Sequence, residues 1–154
     1  MADDAETVWT DSTSGLTWQD GETVGTTPSD FADAPTYCTG LTWNGLTGWR
    51  LPDVDELRSL LRGCTGTDTG GSCGVTDSCL NSTCVTGACA GCSSLGGPAP
   101  GGAYWPAQIT GSINYYWTAS AEGDVSGNGW YVDFRDGAVA GLDGNNGGSL
   151  RCVQ

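Results

Sequence analysis

The chain predicts an α+β fold: small antiparallel sheets near its two ends, two helices between them, and a long disulfide-stapled insert. Three observations carry this expectation. Apolar and polar residues alternate with period two in Trp130-Tyr131-Val132-Asp133-Phe134-Arg135, so a strand there buries one face and wets the other. Val54, Leu57, Leu60 and Leu61 recur at helical spacing behind a capping signal. Six of the eight cysteines crowd into residues 63–102, among Gly, Ser, Thr and Pro. A length of 154 residues suits one domain, 1–154, with 63–102 as its Cys-rich loop region.

The elements follow in order. Residues 1–6 are acidic and expected to fray. Thr7-Val8-Trp9-Thr10 and Leu16-Thr17-Trp18-Gln19 read as paired strands around the turn-rich Asp11–Gly15. Asp33-Ala34-Pro35 opens a first helix, with Pro in the first turn and Tyr37, Cys38 and Leu41 on its inner face. Thr42–Gly45 is a turn. Trp49 and Leu51 then alternate across Arg50, and Pro52 ends that extended piece.

Asp53 with Glu56 three residues on is a capping box. The helix it starts runs to Gly63, a natural stop, with Arg58 and Arg62 pointing away from the apolar stripe. A stretch as long as 63–102 without regular structure is unusual in a compact domain unless it is functional or cross-linked. Three local bridges would substitute for a core there, each worth about 3 kcal/mol for a loop of ~15 residues. The rival reading of these thiols is zinc, from Cys89-x-x-Cys92, but Cys64, Cys73, Cys79 and Cys84 supply no second such pair.

Core-like chemistry resumes at Tyr104-Trp105-Pro106. Tyr115–Thr118, Trp130–Phe134, Ala138–Leu142 and Leu150–Val153 read as strands, with Asp136-Gly137 and Asp143–Gly148 as turns. The alternation places Trp117, Trp130, Val132 and Phe134 on a buried face. It exposes Tyr131, Asp133 and Arg135 on the other, beside Ala121, Asp124, Ser126, Asn128, Asp136, Ala138, Asp143, Asn145 and Asn146 of the turns. These residues are the candidate ligand-binding patch.

Charge and missing residue types exclude whole classes. Eighteen acids face five arginines, and there is no Lys or His, giving a net charge of −13. That argues against nucleic acid, anionic membrane surfaces and sulfated polysaccharides as partners. Without His there is no Ser-His-Asp or Cys-His catalysis and no His-ligated metal within this chain. Without Lys there is no Schiff base. An acid-pair hydrolase stays conceivable, but no pair of carboxylates is singled out by spacing. No run of about 18 apolar residues predicts a membrane span. Met1–Glu6 has neither the basic region nor the apolar core of a signal peptide, so export is assigned to another segment or a processed start.

Several blocks together resemble one bacterial family. They are Gly15-Leu16-Thr17-Trp18-Gln19, Tyr37-Cys38, Gly48-Trp49-Arg50-Leu51-Pro52 with Glu56-Leu57, Tyr116-Trp117-Thr118, Trp130–Phe134 and Arg151-Cys152-Val153. The family is Lcl_C, the C-terminal domain of collagen-like adhesins, with a C-type-lectin-like fold; the resemblance spans residues 7–153. It implies N- and C-terminal strands lying side by side, an upper sheet from the last third, and a bond between Cys38 and Cys152. The other six cysteines, Cys64, Cys73, Cys79, Cys84, Cys89 and Cys92, then pair among themselves, which the segregation of the eight along the chain matches.

The same resemblance sets the functional expectations. No calcium-lectin ligand motif of the Glu-Pro-Asn or Trp-Asn-Asp type occurs, so no cofactor is expected. Asp124, Asp133, Asp136 and Asp143 are read as solvated acids rather than calcium ligands. The fold also includes distant formylglycine-generating enzymes, but a disulfide framework accounts better for these cysteines. Variable proteins of diversity-generating retroelements share the frame Tyr-Trp, Trp-x-Val-x-Phe and Arg-x-Val. Adenine-directed mutation of Asn codons never yields Lys, Glu, Met, Gln or Trp, and between Ala119 and Ser149 only Glu122 and Trp130 fall outside its reach. The expectation is a non-enzymatic recognition module, diversified or not, or else a carbohydrate-binding lectin. Its partner is a protein or carbohydrate on another cell or surface, and its location is extracellular, at a cell surface or on a virus particle.

Overall fold

The computed structural model describes residues 5–154. The expected fraying of residues 1–6 therefore lies partly outside the described residues, but Glu6 is held: its carboxylate accepts the Asn44 backbone N–H at 2.7 Å.

The fold is α+β, as expected. β1 (Thr7–Thr10) and β2 (Thr17–Asp20) form an antiparallel hairpin, with Trp9 opposite Trp18. Asp11 closes the turn: its side chain accepts the Thr13 N–H and its carbonyl accepts the Gly15 N–H, both within 2.9 Å. The final residues run along β2 and bridge onward to Arg50. Gln19 N–H donates to the Cys152 carbonyl at 3.0 Å, and Arg50 and Val153 exchange two bonds of 2.9 Å. The expected closing strand is thus a pair of isolated bridges at Val153, wedged between β2 and Arg50. The two ends of the chain lie side by side.

α1 spans Ala34–Thr39 with Pro35 in its first turn, and it buries Ala34 and Cys38 one turn apart. Tyr37 corrects the expected inner face, because it is 41% exposed. Each residue turns roughly 100° about a helix axis, and a helix this short buries only the line through Ala34 and Cys38. Leu41, beyond the helix, is half-buried.

α2 covers Val54–Arg58. The capping box forms: Asp53 accepts the Glu56 N–H at 2.8 Å and Glu56 accepts the Asp53 N–H at 3.1 Å. Val54, Leu57, Leu60 and Leu61 are all buried. The helix ends at Arg58, short of Gly63, because its last turn tightens. Ser59 N–H is shared between the Asp55 and Glu56 carbonyls, Leu60 and Leu61 continue with i→i+3 bonds, and Arg62 N–H is drawn to the Tyr104 carbonyl at 2.8 Å.

Arg58 departs from expectation more strongly. It does leave the apolar stripe, yet it is buried. Its guanidinium donates to the carbonyls of Thr67 at 2.7 Å, Asp68 at 3.1 Å, Cys73 at 3.2 Å and Val75. The insert therefore folds around a cation from α2. Its three bridges are nested, Cys64–Cys92 outside Cys73–Cys89 outside Cys79–Cys84. Cys38–Cys152 is the scaffold bridge and the other six cysteines pair among themselves, both as expected; which of the six pair together the sequence left open. Packing inside the insert is close: a Cβ on Gly71 would stand 2.5 Å from the Thr65 and Gly66 carbonyl oxygens.

β3 (Tyr115–Ala121), β4 (Asn128–Asp133) and β5 (Val139–Asp143) form an antiparallel sheet in that order. Its inner face buries Tyr116, Trp130, Val132, Phe134 and Val139. Trp105 packs on that face, with ring centroids 6.1 Å from Tyr116 and 5.4 Å from Phe134.

Trp49 is 2% exposed and anchors the extended piece before α2 through its indole N–H, which donates to the Leu46 carbonyl at 3.0 Å. Trp49→Ala should cost about 3–5 kcal/mol, the range for deleting a buried Trp. Thermal melting measures it, and a variant that melts like the wild type would show the site to be replaceable.

Candidate recognition surface

Strand register decides which side chains of the last third share a face. Tyr115 pairs with Asp133 and Trp117 with Tyr131, whereas Tyr116 pairs with Val132. Cross-strand partners project to the same side. Trp117 therefore lies on the outer face with Tyr131, not with Trp130 and Val132 as the alternation implied. It is nonetheless fully buried, because Ser29, Phe31 and Gly148 lie against it. Phe31 meets its ring edge-on at 5.3 Å, and its indole N–H donates to the Ser29 carbonyl at 2.8 Å. Ser29 and Gly148 exchange two bonds of 2.9 Å, and a Cβ on Gly148 would clash with the indole at 2.6 Å.

The uncovered part of the outer face centres on two tyrosines. Tyr115 and Tyr131 are both half-buried, with ring centroids 4.9 Å apart. Tyr115 donates its hydroxyl to the Gly147 carbonyl at 2.6 Å. The Arg135 guanidinium lies 5.9 Å from the Tyr115 ring centroid. It also grips Asp133 through two bonds, Nε–Oδ1 at 2.9 Å and Nη2–Oδ2 at 2.6 Å. Asp133 was expected to be exposed but is 6% exposed. Its place is under Arg135, where it fixes the cation's direction. Burial and the neighbouring Asp133 and Asp136 charges raise the Tyr131 pKa, so the phenol stays a neutral donor.

The expected patch divides into two groups at opposite ends of the sheet. Tyr131, Asp133, Arg135, Asp136 and Ala138 gather at one end, where Asp136 caps the turn by accepting the Ala138 N–H at 2.9 Å. The other end holds Ala121, Ser126, Asn128, Asp143, Asn145 and Asn146, with Asn128 opposite Asp143. There Asp143 accepts the Asn145 N–H at 2.9 Å, and Gly144 N–H donates to the Gly127 carbonyl at 2.9 Å. Along β4 the groups come within three steps of each other, roughly 10 Å from Asn128 to Tyr131. Asp124 belongs to neither. It accepts the Ser82 N–H at 2.7 Å and the Ser82 hydroxyl, so it docks the insert onto the β3–β4 turn. Among the described residues no group of three or more His, Cys, Asp or Glu is placed to hold a metal ion.

Two neighbours of the Tyr131 group escaped sequence reading. Tyr115 was counted only as part of a strand. Leu95, in the insert, is 53% exposed and donates its N–H to the Arg135 carbonyl at 2.6 Å. Its positive φ of 52° was a turn signal hidden in a Gly-rich run.

A separate acidic corner lies where the insert meets α2. Asp77 accepts the Asp55 N–H at 3.4 Å. Partial burial, with the like charges of Asp53 and Asp55, pushes its pKa up to about 6. From 3.8 to about 6 the folded state binds more protons at this group than the unfolded chain, so stability falls as pH rises through that window. Asp77→Asn should therefore melt above the wild type at neutral pH, with the gap closing below about pH 4. Paired urea melts at the two pH values check it, and an equal gap at both would refute the ionisation account.

Residues 7–154 match the Lcl C-terminal domain family. The chain belongs to that family. No curated protein matches it. The match covers this Lcl C-terminal domain from β1 to the last residue and includes the insert. Four disulfides fit an extracellular or surface location. No helix among the described residues is long and apolar enough to cross a membrane.

Proposed function

We propose that this Lcl C-terminal domain is a non-enzymatic recognition module whose ligand meets the outer face of β3–β5 at the Tyr115–Tyr131–Arg135 end. One observation carries the reading: two half-buried tyrosines, their rings in contact and tilted by 52°, stand beside an arginine pre-oriented by a buried carboxylate. Tyr and Arg are the residues that dominate binding energy when they are desolvated by a partner. The partner is a protein or carbohydrate on another surface, and the fold is read as C-type-lectin-like.

Diversification of this face is the finer proposal. Trp130 and Glu122, the two residues outside the reach of adenine-directed mutation, both have structural tasks. Trp130 is buried and donates to the Leu80 carbonyl at 2.9 Å, and Glu122 accepts from the Asn128 side chain at 3.0 Å. A reverse transcriptase and a near-copy of the 3′ coding end beside the gene would support it, and a locus without either would remove it.

The binding proposal is tested by replacing Tyr131, Arg135, Asp136 and Ala138 together. Labelled wild-type and variant domains are compared for melting and for adhesion to a panel of bacterial and eukaryotic cells. A folded variant that no longer adheres supports the face. Unchanged adhesion, or an unfolded variant, overturns it.

A further inference from the structure

The turn of the β1–β2 hairpin holds a second site that the reading above does not use. Two adjoining clefts, of about 470 Å³ and 350 Å³, share Asp11, Thr13 and Arg62. Either volume suits a small-molecule ligand. No residue of the Tyr131 group lines them.

The shared residues are chemically incomplete. The Asp11 side chain is 6% exposed, and its Oδ1 accepts the Thr13 N–H at 2.9 Å. Its Oδ2 stands 3.6 Å from Arg62 Nη2, too far for a hydrogen bond, and among the described residues no group donates to it. Arg62 Nη1 is engaged by the Ser59 carbonyl at 2.6 Å and the Leu61 carbonyl at 3.1 Å, and Nη2 remains beside the open Asp11 oxygen. Asp11 Oδ2 is not sealed in the interior, so a donor that enters the cleft can reach it. Here the missing contact faces a cleft.

The pair is neutral overall, with one acceptor and one donor a short gap apart. A hydroxyl satisfies both at once, because it donates to Asp11 Oδ2 and accepts from Arg62 Nη2. The cleft wall adds Trp9, half-buried, with Pro98 and Pro106. An indole and proline rings offer an apolar platform to the C–H face of a pyranose. The chain's net charge of −13 disfavours anionic sugars. We propose that this hairpin cleft is a binding site for a neutral saccharide, held by Asp11 and Arg62 through a hydroxyl and by Trp9 through a ring face.

The test is a titration of the full chain with four neutral probes, cellohexaose, chitohexaose, mannohexaose and maltohexaose, and with a heparin hexasaccharide. It is followed by NMR of the tryptophan indole N–H signals. At least one neutral hexaose should shift the Trp9 signal saturably. Asp11→Asn keeps the Thr13 bond but loses the charged acceptor, and Trp9→Thr, read at the Trp105 indole of the same cleft, keeps a strand-forming residue but loses the platform. Each should weaken binding about tenfold or more, the scale of a charge-assisted hydrogen bond. Tyr131→Ala should leave it unchanged, so the two sites are tested independently. The proposal is overturned if none of the four neutral probes binds or if heparin binds more tightly. Binding that survives both cleft variants, or that is lost in Tyr131→Ala, overturns it as well.

Discussion

Arg151→Ala is expected to lower the unfolding free energy by about 3–5 kcal/mol, a large part of the ~5–15 kcal/mol of an ordinary domain. The side chain is fully buried. Its Nη1 donates to the Gln19 carbonyl at 2.6 Å and its Nη2 to the Thr110 carbonyl. Asp20 stands 3.8 Å away, and the guanidinium lies 5.0 Å from the Trp105 ring and 5.8 Å from the Tyr116 ring. Burial pulls its pKa down, but a guanidinium stays protonated. Alanine would leave two carbonyls and a carboxylate without their cation, next to a cavity between aromatic rings. Arg151→Lys restores the charge but not the planar stack or the fork, so it should recover part of the loss. Denaturant midpoints at constant slope measure both variants. An alanine variant within about 0.5 kcal/mol of wild type would mean that packing alone holds this centre.

The second large effect is expected at the scaffold bridge. Cys38–Cys152 closes a separation of 114 residues, and chain entropy assigns about 5 kcal/mol to a loop of that size. Replacing both by alanine should leave the domain near its folding threshold. The innermost insert bridge, Cys79–Cys84, closes a separation of 5 residues and should contribute about 2 kcal/mol. Guanidinium melts of the two double variants compare them. If the two losses are equal, loop entropy is not what these bridges supply.

Local signals were legible in the sequence and distant partnerships were not. The Asp53–Glu56 box, the α2 stripe and the β1–β2 hairpin each depend on residues within a few positions of one another. Arg58 and Arg151 carry no such signal. Their acceptors are backbone carbonyls, which every residue has, reached across 9 to 17 residues for Arg58 and 132 for Arg151. The same limit governed the candidate surface. Alternation placed Tyr131 outward correctly, but the face of Trp117 depends on β3–β4 register, and its cover comes from Phe31 far upstream. Asp133 looked wet because alternation cannot see that Arg135 folds back over it.

The wedged position of Val153 bears on when the molecule can fold. β2 and Arg50 are bridged through Val153, flanked by Cys152 and Gln154, residues made more than 130 positions after Trp18. Until those residues are made, the hairpin lacks one of its neighbours and Cys38 lacks its partner thiol. Long-range pairing of this kind is slow to form and is completed late. The Cys38–Cys152 bond can therefore close only after Cys152 has been made, whereas the three insert bridges, all within residues 64–92, do not wait for it.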